Sequence, residues 1–153
     1  MNLNFLKRLP FGAEIDTHKI ILNGSGPERV MAEQVLEYML DGLPELLAAA
    51  VVQVSSGRAL ATYTSASEFN PNKVLGFNAE VVRQTHGLLQ AISMEDEQIE
   101  DILITLRNQL HLLRLLPNGE QMLYLVVDCR DTNLALARTM MQTCMEIIPV
   151  PVI

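Results

Sequence analysis

Apolar residues recur along this chain with two spacings, one helical and one strand-like, and the changes between them mark the elements. Met31, Val35 and Met39, with Ala32, Leu36 and Leu40, follow a helical period and predict a first helix. Ser25-Gly-Pro-Glu28 in front of it matches a capping box, in which Ser25 accepts from an orphan N–H and Glu28 reaches back. Gly42 and Pro44 stop that helix. Leu46 to Val54 is a short apolar run that suits a strand buried on both faces, Ser55-Ser-Gly57 turns the chain, and Ala59 to Thr64 returns as a second strand. Asn70 as cap and Pro71 in the first turn open a long helix that runs to about Ile92. Ile99 to Leu106, Leu110 to Leu116 and Met122 to Val127 are three further strands, joined by Arg107-Asn108 and by the hairpin signal Pro117-Asn118-Gly119. The nearly all-apolar run from Met122 to Val127 belongs at the centre of a sheet. Asp131 or Thr132 caps a last helix with Leu134, Ala137, Met141, Cys144 and Ile148 on one face, ended by Pro149 and Pro151.

The order is helix, two strands, long helix, three strands, helix. Two groups of hairpin-linked strands around a helical crossover imply an α/β (α+β) fold. We expect one mostly antiparallel five-stranded sheet with helices packed on both faces. Residues 1–24 lack a strong period, although His18 to Leu22 can form a short strand, and they are read as an N-terminal extension. Residues 25–148 form the domain, and 149–153 are a short apolar C-terminal tail.

The 153 residues favour one domain with modest extensions. Eleven Lys+Arg against eighteen Asp+Glu give a net charge of −7, which phosphate backbones and anionic lipid repel. Nucleic acid and membrane are therefore not expected partners. No stretch approaches the roughly 20 apolar residues of a membrane span, and the N-terminus lacks a signal-peptide core. The expected location is the cytoplasm. Cys129 and Cys144, without CxxC spacing, read as two reduced and mostly buried thiols.

The usual chemical constellations are missing from the sequence. Gly24-Ser-Gly26 is too short for a phosphate loop, and neither GxxxxGK[ST] nor GxGxxG occurs. His18, His86 and His111 are scattered without metal-ligand spacing. Ser55 and Ser56 sit in a hairpin turn, not a strand-to-helix elbow. The acidic group Glu95, Asp96, Glu97, Glu100 and Asp101 lacks the spacing of a calcium loop. Asp128 and Asp131, flanking Cys129-Arg130 at a strand end, are the best polar pair, and capping with strand termination explains them. We expect no enzyme activity, no metal and no cofactor.

The long helix is more informative. At roughly 100° per residue, Val74, Phe77, Val81, Thr85, Leu88 and Ile92 fall on one side. Leu75, Val82 and Leu89 widen the apolar arc to nearly half the circumference, more than a helix lying on a sheet needs. The opposite side carries Gly76, Glu80, Arg83, Gly87 and Gln90. Each glycine costs about 1 kcal/mol against Ala in a helix, which close approach of another backbone would explain. The run Ile102-Leu-Ile104, preceded by Glu100 and Asp101, is a poor sequence for an open sheet edge. Pairing with its own symmetry mate would remove that edge. The expected dimer interface is Leu75, Phe77, Val82 and His86 on the helix with Ile102, Leu103 and Ile104 on the strand.

The order of elements, together with two segments, resembles the roadblock family, which includes roadblock-type dynein light chains, Ragulator subunits and bacterial GTPase-regulating relatives. Ala50-Val-Val-Gln-Val-Ser-Ser-Gly-Arg-Ala-Leu-Ala61 looks like that family's first hairpin. Leu123-Tyr-Leu-Val-Val-Asp-Cys-Arg-Asp-Thr-Asn-Leu-Ala-Leu-Ala-Arg138 looks like its last strand leading into a helix. The resemblance spans about residues 28–148. It implies a homodimer or heterodimer with paired second helices and paired third strands, and a non-catalytic role as adaptor or regulator of a Ras-like small GTPase or another cytosolic protein; the apolar edge and helix favour the homodimer. Gly76, Glu80, Arg83 and Gly87 would then be the partner-binding face. The alternative is a small-molecule sensor with a pocket between sheet and helices.

Overall fold

A computed structural model describes residues 20–65 and 70–148. The elements are β1 (Ile21–Leu22), α1 (Gly26–Gly42), β2 (Ala48–Gln53), β3 (Ala59–Thr64), α2 (Leu75–Ala91), β4 (Ile102–Thr105), β5 (Gln109–Leu115), β6 (Gln121–Asp128) and α3 (Leu134–Ile147). They form one antiparallel sheet of six strands in the order β1-β3-β2-β6-β5-β4. The expected mixed architecture is present, with one strand more than expected. Ile21–Leu22, at the end of the segment read as an extension, pairs with β3, and Asn23 N–H donates to Leu60 O at 2.9 Å. His18, Lys19, the rest of residues 1–19 and the tail 149–153 lie outside the described residues.

β6 is central, as its apolar run requires. All eight of its residues are buried, and it pairs with β2 on one side and β5 on the other. Because side chains alternate across a strand, each face of the sheet receives its own core. On one face α1 and α3 cover Ala49, Val51, Leu112, Leu123, Leu125 and Val127. On the other, α2 alone covers Ala48, Ala50, Val52, Met122, Tyr124 and Val126 through Leu75, Ala79 and Val82. Helices on both faces match the expectation; two against one is the asymmetry that shapes the surface.

Several local expectations change in detail. Ser25 is the N-cap of α1, but its side chain makes no capping bond. Glu28 instead accepts from Gln121 Nε2 at 3.3 Å, an attachment to the sheet that replaces the capping box. Asn70 Oδ1 accepts from Asn72 N–H at 3.0 Å and caps a single 3-10 turn, Pro71–Lys73, and α2 proper starts at Leu75. Asn133, not Asp131 or Thr132, caps α3 by accepting from Ala135 N–H at 2.7 Å. In the β5–β6 hairpin Asn118 is a side-chain acceptor for Glu120 N–H, and only Gly119 takes a positive φ of 71°.

The β2–β3 turn comes close to α2. Gly57 has φ +69°, and a Cβ there would stand 3.1 Å from the Gly76 Cα. An added methyl group meets both left-handed strain and a neighbouring backbone that cannot swing aside. We therefore expect Gly57→Ala to destabilise the chain by about 1–3 kcal/mol, measured by urea unfolding.

Candidate self-association and docking surface

α2 is placed by contacts on both of its flanks. Arg83 Nη1 donates to Val54 O at 2.8 Å, tying one flank to the β2–β3 turn. Asn78, 8% exposed, lies on the other flank beside the buried Tyr124 hydroxyl of β6. Between these two flanks Leu75, Ala79 and Val82 point into the core. The next helical stripe, on the Asn78 side and so toward β5 and β4, holds Phe77, Val81, Leu88 and Ile92. Phe77 is 76% exposed, Leu88 56% and Ile92 51%. Met94, just past the helix, is exposed as well. The width of the apolar arc thus has two explanations. Its inner part is the chain's own core, and its outer part is uncovered.

β4 ends the sheet on the same side. Ile102 packs against the core under α2, and Leu103 against the core under α1 and α3. Ile104 and Leu106 are exposed, at 36% and 50%. Outer α2 and the β4 edge therefore offer one apolar region on one face of the molecule. Exposed apolar side chains gathered on one side of a molecule mark interaction surfaces more often than scattered ones do.

The structure separates the sequence-derived candidates. Phe77, Ile104 and, farther along the helix, His86 are exposed, while Ile102 and Leu103 are half-buried. Leu75 and Val82 are each 1% exposed, which places them in the chain's own core and not on its outside. Gly76, Glu80, Arg83 and Gly87 are all exposed on the far flank. Arg83 pairs with Glu80 at 2.7 Å while holding the β2–β3 turn. A Cβ at Gly76 or Gly87 would meet nothing within 4 Å, so the chain itself does not require glycine at either position. Met94, Leu106 and the polar chain under α2 had no sequence signal. In that chain, His111 Nδ1 lies 2.7 Å from Tyr124 Oη, and His111 Nε2 lies 3.1 Å from Gln109 Oε1. Burial lowers the His111 pKa and raises that of Tyr124, so both favour their neutral forms. Asn78 Nδ2 is buried beside them without a hydrogen-bond partner.

The remaining polar candidates are structural. Asp128 accepts from Arg130 N–H at 2.9 Å and from Arg130 Nη2 at 2.6 Å, and its backbone carbonyl accepts from Asp131 and Thr132. Asp131 is exposed and does not face Asp128 across a cleft. Cys144 is buried and its thiol is pushed up to about 11 by desolvation, whereas Cys129 is exposed, contrary to expectation, because it follows the last residue of β6. A cleft of about 360 Å³ lies beside α3, lined by Glu100, Asp101, Arg114, Arg138, Thr139 and Gln142. Both arginines in it are engaged by Asp101, at 3.4 Å and 2.9 Å. Among the described residues no group of three His, Cys, Asp or Glu side chains could hold a metal ion, and no helix is long and apolar enough to cross a membrane.

No sequence-family model matches the chain, and no curated protein matches it by sequence. Solved structures do match it in three dimensions. MglB of Myxococcus xanthus has a TM-score of 0.67 at 12% identity, over 82% of this chain and 90% of that one. MglB in a tetrameric arrangement gives 0.64 at 16% identity, over 86% and 93%. A Roadblock/LC7 domain from Streptomyces avermitilis gives 0.60 at 10%, over 80% and 93%. The chain has the roadblock fold. In roadblock terms, Ala50 to Ala61 spans most of the β2–β3 hairpin, and Leu123 to Arg138 carries β6 into α3. Those are the two segments whose pattern resembles the family.

The Asp128 contacts set a pH dependence. Its hydrogen bonds with Arg130 lower the carboxyl pKa from 3.8 to about 2. A depressed carboxylate pKa contributes stability that is complete above the unfolded value and is lost as pH falls through the folded one. Asp128→Asn should therefore be less stable than the parent at about pH 7, with the gap closing between about pH 4 and about pH 2. Urea midpoints measured across that range check this.

Proposed function

We propose that two copies of this chain pair through α2 and the β4 edge, and that the pair serves as a non-catalytic adaptor or regulator. Its partner would be a Ras-like small GTPase or a comparable protein. The observation that carries the reading is the uncovered apolar region, with Phe77, Leu88, Ile92, Ile104 and Leu106 all exposed beside an open sheet edge. Covering a side chain of that size fully contributes about 1.5–3 kcal/mol. A second copy supplies the same surface and an identical edge, so a twofold arrangement covers both at once. MglB, which shares the fold, occurs in a tetrameric arrangement, in line with self-association. The GTPase part rests on the family resemblance, and the far flank of α2, with Gly76, Glu80, Arg83 and Gly87, is the surface left for it.

Sedimentation velocity tests the first step: a dimer is expected at micromolar concentration, and a monomer there removes the proposal. Phe77→Asp should keep the fold, because the side chain is 76% exposed. The same change should weaken self-association about thirty-fold or more, the effect of losing about 2 kcal/mol at an interface centre. Gly87→Arg tests the docking flank. It should leave folding and the dimer intact and reduce capture of a GTPase from the native cytosol; undiminished capture would remove that flank from the proposal.

A further inference from the structure

The β4 edge restricts how a second copy can pair with it. Leu106 N–H donates to Gln109 O at 2.9 Å, which makes these two a hydrogen-bonded pair closing the β4–β5 hairpin. Antiparallel pairs alternate, so Ile102 and Ile104 bond inward to β5, while Leu103 and Thr105 direct their N–H and C=O groups to the open edge. Even-numbered residues face the α2 side: Ile102 joins that core, whereas Leu103 joins the opposite one. A twofold axis perpendicular to the sheet preserves faces. Only registers that set even against even and odd against odd are therefore possible, and a slip of one residue is excluded.

Thr105 on the axis would set Leu103 against the partner's Arg107 and Ile102 against its Asn108, so two such registers keep the apolar strand together. With Leu103 on the axis, the exposed Leu106 faces the partner's Glu100, and Arg107 faces the partner's Ile99. With Ile104 on the axis, Ile104 meets its own mate, Leu106 covers the partner's Ile102, and Leu103 exchanges backbone bonds with the partner's Thr105. The ends then carry opposite charges. Arg107 is exposed, and its guanidinium has no hydrogen-bond or ion-pair partner among the described residues. It arrives opposite the partner's Asp101, with the exposed Glu100 adjacent. Asp101 is already neutralised by Arg138 at 2.9 Å and Arg114 at 3.4 Å, which fixes that end of the strand before any partner arrives and leaves the exposed Glu100 as the carboxylate that Arg107 meets.

Resting on the self-association reading above, we infer that the chain pairs with a second copy in the register that sets Ile104 on the twofold axis. Arg107 of each copy meets the Glu100–Asp101 end of the other. Symmetry repeats this contact, so both ends of the seam are closed by opposite charge, and charge as well as apolar contact selects the register.

Single-cysteine crosslinking in a Cys129→Ser background decides it. A non-hydrogen-bonded pair across the axis has its Cα atoms about 4.5 Å apart, within disulfide reach. In this register Leu103 and its mate are about 7–8 Å apart on a diagonal, beyond it. Mild oxidation should convert the Ile104→Cys variant to covalent dimer and leave the Leu103→Cys variant uncoupled; the reverse pattern overturns the register while keeping the dimer. An unmodified chain that sediments as a monomer overturns the underlying reading instead. Arg107→Glu, a change at an exposed site, should raise the dimer Kd about tenfold at low salt, with the difference shrinking in high salt. An unchanged Kd at low salt overturns the charge contact.

Discussion

β6 is buried along all eight residues, so it must be hydrogen-bonded along both edges and covered on both faces. Satisfying one strand in this way requires β2 and β5 as neighbours and helices above and below. That requirement divides the interior into two cores, since alternate side chains enter each. α1 and α3 together cover one face, and α2 alone covers the other. One helix is about 10 Å wide with its side chains, and neighbouring strands are about 4.8 Å apart, so it shelters only two or three strands. The β4 and β5 end of that face is left with Ile104 and Leu106 open to solvent.

The same constraint orders the functional surface. α2 turns Leu75, Ala79 and Val82 inward, and its next stripe lies beside the uncovered sheet. Helix and edge strand therefore expose apolar residues on the same side of the sheet although ten residues separate the two elements in sequence. The opposite flank is built differently, from two open glycines and a Glu80–Arg83 ion pair. A single helix thus carries an apolar flank and a polar flank on opposite sides of its buried stripe.

Most of the fold was legible because its elements announce themselves by period and turn residues. The β6 run, the Gly57 and Gly119 turns and the helical spacing from Met31 to Leu40 are each strong local signals. The sixth strand was half legible: His18 to Leu22 reads as a segment able to form a short strand, but two residues paired only with β3 carry no period that assigns them to the sheet. Caps were misassigned where several acceptors stand in a row: Asp131, Thr132 and Asn133 are equivalent by composition, and only the path of the chain after Asp128 selects Asn133. The surface was half legible. The pattern showed that α2 is apolar over too wide an arc, but not which part of the arc faces inward, because that depends on Arg83 tying one flank to the β2–β3 turn. Leu75 and Val82 were accordingly placed outside when they belong inside. The polar group of Asn78, Tyr124 and His111 brings Asn78 of α2 beside the β5–β6 hairpin, more than twenty residues away in sequence, and left no trace in any local window.

Arg83 has a consequence beyond its ion pair. By donating to Val54 O and, at 3.4 Å, to Ser55 O, it joins the middle of α2 to the tip of the β2–β3 hairpin. The close approach of Gly57 to Gly76 joins them a second time, about two turns closer to the start of the helix. Helix and hairpin are therefore tied together at two points. A protein settling on that flank meets a surface already in its final shape, and little conformational entropy remains to be lost when it does.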